Sequence, residues 1–313
     1  MQTGKTVLDR VRTIGYEVIF MKEGKEKRII PDEFGKSFLN GEFSTIYQQT
    51  SKDFKQLVIL EQFIELGESF NLEVKQYNLE MSNRLGKHIE QFLWLDNERE
   101  KAISVAFDED YTIQSLLLAP FVSYPESDNR YTENTYIMPI KEEWFVFWGG
   151  TNQFINYHYV YETQRYAYDL VIMKDGQSYR DAPTKNENYY AFNKEIVAPF
   201  DGEVVKVIEG VKDNVPGEMD ESQPEGNCVV IRHPNNEYSM LAHLKQNSIL
   251  VKVGDHVQQG QVIGLCGNSG NSSEPHLHFQ VMDSFDYYTG KSIRIQLEGS
   301  SEPIQGEVVR PYN

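Results

Sequence analysis

The sequence predicts a multidomain chain, an α+β unit over residues 1–130 followed by an all-β unit over residues 131–313. Three observations carry this. A length of 313 residues exceeds what one core usually organises, since domains commonly hold about 100–200 residues. Apolar residues near the start recur at helical spacing, and from about Val74 onward the text turns into short apolar runs of strand character. No internal repeat or low-complexity tract interrupts either part.

In the first unit, Phe34, Phe38 and Leu39, then Phe54, Leu57, Val58, Phe63 and Ile64, follow the helical period. Between Val74 and Val122 the runs IEQFLWL, KAISVAF and YTIQSLLLAPF, separated by Asn, Asp, Glu and Gly, read as antiparallel strands. Helices followed by a small sheet make an α+β unit. Its histidine, His88, stands without a cluster of polar groups, so a packing or targeting role is expected here. The segment SYPESDNRYTENTY, rich in Pro, Ser, Asn and Asp, contains the boundary, and EEWFVFWGG opens the second unit. Strand text then dominates in YAYDLVIM, GEVVKVIE, NCVVIRH, EYSMLAHL, QVIGLCG and HLHFQVM.

Composition narrows the function classes. Apolar residues make up 40% and charged residues 25%, as in ordinary soluble globular chains. No stretch approaches the roughly 20 apolar residues of a spanning helix. The opening MQTGKTVLDR lacks the apolar run of a signal peptide, so the chain is expected to be intracellular or to lack its leader or anchor. The net charge is -17, with 16 basic and 22 acidic side chains in residues 1–130 and 14 and 25 in residues 131–313. Such a field repels phosphate backbones and excludes nucleic acid as a partner, while attraction to a cationic polymer, or solubility alone, stays open. Cys228 and Cys266 are too few for a disulfide framework and lack the paired spacing of a cysteine zinc site.

The chemistry concentrates in Pro275-His276-Leu277-His278-Phe279-Gln280-Val281. Alternate side chains of a strand point the same way, so His276, His278 and Gln280 face a cleft while Leu277, Phe279 and Val281 enter a core. Two imidazoles at i and i+2 over an apolar back face favour a ligand role. Just before them, Gly267-Asn268-Ser269-Gly270-Asn271-Ser272 reads as a tight turn. Along Tyr238–Leu244, alternation groups Ser239, Leu241 and His243 on one face. Asp169, among apolar residues in Tyr166-Ala167-Tyr168-Asp169-Leu170-Val171-Ile172, needs a cation or donors. His233, before Pro234-Asn235-Asn236, and His256, in the Gly254-Asp255 turn, are expected to be solvated, and Asp201-Gly202 to form a hairpin turn.

The run LAHLKQNSILVKVGDHVQQGQVIGLCGNSGNSSEPHLHFQV, preceded by APFDGEVVKV, resembles the lysostaphin-type zinc metallopeptidases, peptidase family M23, over about residues 145–285. The resemblance implies a peptidase domain of the lysostaphin, or duplicated-hybrid, type that cleaves peptide bonds in bacterial peptidoglycan. It implies Zn2+ held by His278, Asp169 and a further histidine. The family commonly places that histidine four residues before the aspartate, where this chain has Arg165, which cannot bind a cation. His158, eleven residues ahead of Asp169, is the nearest candidate; a branch with Asn-x-His followed by Gln-Arg-Tyr-Ala-x-Asp is similar, and the intervening residues must turn back, for example as a hairpin. Two imidazoles and a carboxylate leave one tetrahedral position open, as in catalytic zinc sites, where the ion acidifies water and polarises a carbonyl. The resemblance assigns His243 and His276 to proton transfer and oxyanion stabilisation, without dividing the two roles.

The first unit is similar to the cystatin-like or NTF2-like modules that precede some cell-wall enzymes, and it could recruit substrate or bind a protein regulator. A peptidoglycan substrate implies secretion or attachment to the cell envelope. Two other readings compete. One is a non-catalytic member of the same fold that binds peptidoglycan or a protein partner. The other is a biotinyl or lipoyl carrier, suggested by PFDGEVVKV with GDHVQQGQ; it fails because Met173-Lys174-Asp175 lies before the first half-motif rather than between the two, and because a carrier has no use for HLHF.

Overall fold

The computed structural model describes residues 28–299 and 302–312; the opening MQTGKTVLDR lies outside the described residues, as do the first 27 residues of the α+β unit and residue 313 at the end of the all-β unit. A turn of 3-10 helix, Pro31–Glu33, runs into the helices Phe34–Leu39, Phe43–Gln48, Lys52–Leu57 and Leu60–Phe70. They cover one face of an antiparallel meander, β1 (Tyr77–Arg84), β2 (Ile89–Asp96), β3 (Lys101–Asp108) and β4 (Ile113–Pro120), in the order 1-2-3-4. Phe34, Phe38, Phe43 and Phe63 of the helices pack on Phe92, Trp94 and Phe107 of the sheet. The approach is close: a Cβ at Gly35 would lie 2.6 Å from the Trp94 indole. Leu57, read from sequence as part of the apolar stripe, is instead 81% exposed at the last residue of its helix.

The opposite face of the meander is also covered over its two central strands, with Leu93, Leu95 and Ala102 packed against Phe154 from the second half of the chain. Burial on both faces explains why IEQFLWL is a nearly continuous apolar run rather than an alternating one.

Beyond a single helical turn at Pro125–Asp128, the remaining described residues form strands, 3-10 turns and the loops between them. The strands are β5 (Tyr131–Tyr136), β6 (Trp144–Trp148), β7 (Tyr168–Val171), β8 (Glu195–Val197), β9 (Gly202–Ile208), β10 (Asn227–Arg232), β11 (Tyr238–Leu244), β12 (His256–Val257), β13 (Val262–Leu265), β14 (Leu277–Met282), β15 (Ser292–Leu297) and β16 (Val308–Val309). The main sheet runs β12-β9-β10-β11-β14-β7-β6-β16, with β15 bridging β14 and β5, while β8 and β13 pair separately. Leu170, Ile231, Leu241 and Phe279 of the main sheet share a core with Ile196 and Ile263 of that pair. A smaller layer, Cys228, Val230, Met240, Ala242 and Met282, lies on the other face. Both cysteines are free and buried.

Two expectations change here. Asp201-Gly202 joins β8 to β9, which belong to different sheets, so it carries the chain between layers instead of forming a hairpin. Only glycine fits, since a Cβ at position 202 would lie 2.5 Å from the Arg232 carbonyl oxygen. His233 is buried rather than solvated; its Nδ1 lies 2.8 Å from the Asp201 carbonyl and its Nε2 2.7 Å from Ser239 Oγ, so the imidazole bridges the turn before β9 and β11. His256 is exposed as expected. Among the described residues no helix is long and apolar enough to cross a membrane.

Candidate metal centre

β14 pairs with β7 so that His278 stands opposite Asp169, and with β11 so that it also stands opposite Ala242. Leu277, Phe279 and Val281 enter the core, which turns His278 and Gln280 to the other face, as alternation requires. Tyr168 and Leu170 likewise anchor β7 in the core and turn Asp169 toward His278. His278 Nδ1 lies 2.9 Å from Asp169 Oδ1.

His158 arrives differently. It sits in a 3-10 turn, Tyr157–Val160, whose N-cap is Asn156. The completely buried Asn156 side chain accepts from the His158 N–H at 3.1 Å and donates to the carbonyls of Gly150, Arg165 and Ala167 at 3.1, 3.3 and 3.1 Å. One amide thus ties together both ends of the segment, and the chain returns through consecutive turns rather than through a hairpin. His158 Nε2 reaches Asp169 Oδ2 at 3.0 Å. Arg165 takes no part in the site: its guanidinium lies 3.5 Å from the Tyr124 ring centre, and its Nε donates to the Tyr159 carbonyl at 3.0 Å.

His243 and His276 stand beside this group, their ring centres 4.7 Å apart. His276 Nε2 is 3.7 Å from Asp169 Oδ1, and its Nδ1 is 2.8 Å from the Glu274 carbonyl. His243 adopts φ +59° in a bulge of β11. The bulge breaks the alternation, so Ser239 and Leu241 stay on the core side while His243 joins Met240 and Ala242 on the cleft wall. The grouping of His243 with Leu241 is therefore corrected. His243 Nδ1 lies 2.9 Å from the Ser269 carbonyl, within the Gly267–Ser272 turn. A carbonyl accepts only, so both Nδ1 atoms carry the proton when the rings are neutral and both Nε2 atoms keep a free lone pair.

Burial pushes the His158 and His243 imidazoles below the usual range, well below for His243, and nearby histidine charges add to this. Burial works to raise the Asp169 carboxyl, but the neighbouring imidazoles, His158 and His276 foremost, hold it well below.

The donor set fits a metal cation. One donor atom each from His158, Asp169 and His278 lies within 4.8 Å of the others. Gln280 Nε2 donates to the Thr163 carbonyl at 3.1 Å, so Gln280 Oε1 faces His278 Nε2, 2.9 Å away, and must accept a proton from it. In neutral His278 a bare Nδ1 lone pair then confronts a carboxylate oxygen. A cation between them turns that repulsion into ligation, and Gln280 is the outer partner that fixes the ring.

Sequence reasoning did not identify the rest of the cleft wall, which includes Tyr157, Tyr161, Glu225 and Tyr287. Nothing in their spacing distinguishes these residues from ordinary loop positions. Asn156 had a signal, an Asn two residues before a histidine at a turn.

Residues 188–294 match the sequence model of Peptidase family M23, and the chain thus carries a domain of that family. His243, His276 and His278 fall inside the matched range; His158 and Asp169 precede it. Among similar curated proteins, the peptidoglycan DD-endopeptidase ShyC of Vibrio cholerae is 40% identical over 70 residues, 22% of this chain and 16% of that protein. ShyA, a second peptidoglycan DD-endopeptidase of that organism, is 47% identical over 57 residues, 18% of this chain and 13% of the relative. Lysostaphin of Staphylococcus staphylolyticus is 44% identical over 62 residues, covering 20% and 13%. The chain thus spans under a fifth of the length of these relatives. Among solved structures, the catalytic domain of lysostaphin from Staphylococcus simulans is 28% identical, covering 37% of this chain and 86% of that one at a TM-score of 0.25.

Proposed function

We propose that this chain is a zinc metalloendopeptidase that hydrolyses peptide bonds in bacterial peptidoglycan, and that it works outside the cytoplasmic membrane, where that polymer lies. The observation that carries the reading is the convergence of His158, Asp169 and His278 beside two imidazoles whose Nε2 atoms are free. The family match and the peptidoglycan endopeptidases among its relatives support the substrate class.

In this reading His158, Asp169 and His278 hold the ion, with Gln280 orienting His278. Bound there, zinc supplies Lewis acidity toward water and toward the scissile carbonyl. His243, kept neutral by burial and with its Nδ1–H given to Ser269, offers Nε2 to take a proton from the attacking water. His276, fixed through Glu274, stands next to it; because its neutral Nε2 only accepts, it donates to the oxygen that gains charge in the tetrahedral transition state once that Nε2 has taken up a proton. Residues 1–130 form an accessory domain and residues 131–313 the peptidase domain.

Zinc per chain, measured by mass spectrometry on protein purified without added metal, tests this together with digestion of peptidoglycan fragments. The expected result is near-stoichiometric zinc and released peptides for the wild type, with loss of both in His158→Ala. A wild type free of zinc and inert on the fragments would replace the enzyme with a non-catalytic binding module.

A further inference from the structure

The segment that delivers His158 is also the segment on which the helix-covered meander rests. Phe154, four residues before His158, is buried against Leu93, Leu95 and Ala102 on the outer face of that meander, and its ring stacks over Phe121 with centres 6.4 Å apart. Gln91 of β2 donates from Nε2 to the Phe154 carbonyl at 3.3 Å. Gln153 donates to the Pro120 carbonyl at 2.6 Å and accepts from the Val122 N–H at 3.1 Å, clamping the end of β4. Directly after these contacts comes Asn156, whose amide fixes the turn that bears the imidazole.

We propose that the N-terminal helix-and-sheet unit is a positioning element for the metal centre, holding residues 152–156 so that His158 stands at Asp169. The proposal rests on the metallopeptidase reading for its consequence but not for its geometry. An imidazole carried on a neighbouring turn of the same strand would need no such support. One carried eleven residues away does, because a side chain in an irregular segment is only as well placed as the backbone contacts that fix it. These contacts come from β2, β3, β4 and the residues after β4, all outside the 188–294 range of the family match. Displacing the meander, by a partner or by a mutation, would loosen one ligand and leave Asp169 and His278, set by strand pairing, in place.

Full-length Phe154→Ala and Gln153→Ala test this against Asn83→Ala. Asn83 of β1 also bridges the two parts of the chain, donating to the Gln305 carbonyl at 3.1 Å, but it makes no hydrogen bond to residues 152–156. Hydrogen exchange of the His158, Tyr159 and Tyr161 amides in metal-free protein, and zinc affinity by competition with a chromophoric chelator, are read for each. The expected result for Phe154→Ala is at least about tenfold faster exchange and about 10–100-fold weaker zinc binding. Gln153→Ala shifts both the same way by less, Phe154→Leu recovers most of the loss, and Asn83→Ala leaves both unchanged. If Phe154→Ala does not fold, Gln153→Ala decides. Unchanged exchange in both loop variants, or an equal effect in Asn83→Ala, overturns the proposal. A wild type that binds no zinc removes the metallopeptidase reading, while exchange still decides the positioning role.

Discussion

Two imidazoles reach the Asp169 carboxylate on opposite kinds of backbone. His278 is carried by β14, flanked by β11 and β7, and the pairing that builds the sheet also sets its distance to Asp169. His158 is carried by a 3-10 turn in a segment without strand pairing, and its place depends on the Asn156 amide and on the meander behind residues 152–156. Sheet register is shared by many backbone bonds, so no single side chain sets His278. On the other side one amide holds four backbone groups, and its loss leaves several buried polar groups unpaired at about 1–3 kcal/mol each.

The comparison breaks most sharply at the imidazoles themselves. His278→Ala is expected to abolish zinc binding, while His276→Ala keeps zinc and loses activity on peptidoglycan fragments; equal zinc loss in both would mean that the strand presents both rings as ligands. Smaller and more informative is the pair Asn156→Ala and Gln280→Ala. Both should weaken zinc binding by about 10–100-fold, but Asn156→Ala should lower thermal stability by several degrees more, because it strands four buried backbone groups whereas Gln280, also buried, makes just two hydrogen bonds. Equal stability losses would show that the loop is no more dependent on its staple than the strand.

The smallest effect is one of pH. His158 and His243 are held neutral by burial, so below about pH 6.5 the unfolded chain binds protons that the folded one refuses, and metal-free protein should lose stability as the pH falls. Asp169 acts in a lower window: its depressed carboxyl adds stability above about pH 4 that is lost on further acidification. Melting temperatures of metal-free protein at pH 7.5, 6 and 5 should fall in that order; a flat profile would mean that neither imidazole is kept neutral.

The same contrast explains what was legible in the sequence. Strand alternation turns His278 and Gln280 away from Leu277, Phe279 and Val281, and the apolar text between residues 74 and 122 did form the meander. Periodicity failed where the backbone departs from a regular form. It placed His243 with Leu241 because no sequence signal marks a non-glycine residue at φ +59°. It read Asp201-Gly202 as a hairpin because a turn between sheets uses the same residues as a turn within one. It left His233 in water because its burial depends on Ser239 and on the Asp201 carbonyl, a contact spanning 32 positions. His158 could be singled out, but the shape of its return path could not, since that depends on hydrogen bonds from Asn156 to carbonyls as far away as Ala167.

Cys228 and Cys266 give the sheet a pair of internal clocks. Burial pushes the Cys228 thiol up to about 12 and the Cys266 thiol well above its ordinary value, so almost no thiolate exists near neutral pH, and thiolate is the reactive form. Each side chain can be alkylated only during the moments when its layer parts. Cys228 lies in the layer with Met240 and Ala242 and Cys266 in the core with Leu241 and Phe279, so their labelling rates time the opening of the two faces of one sheet separately.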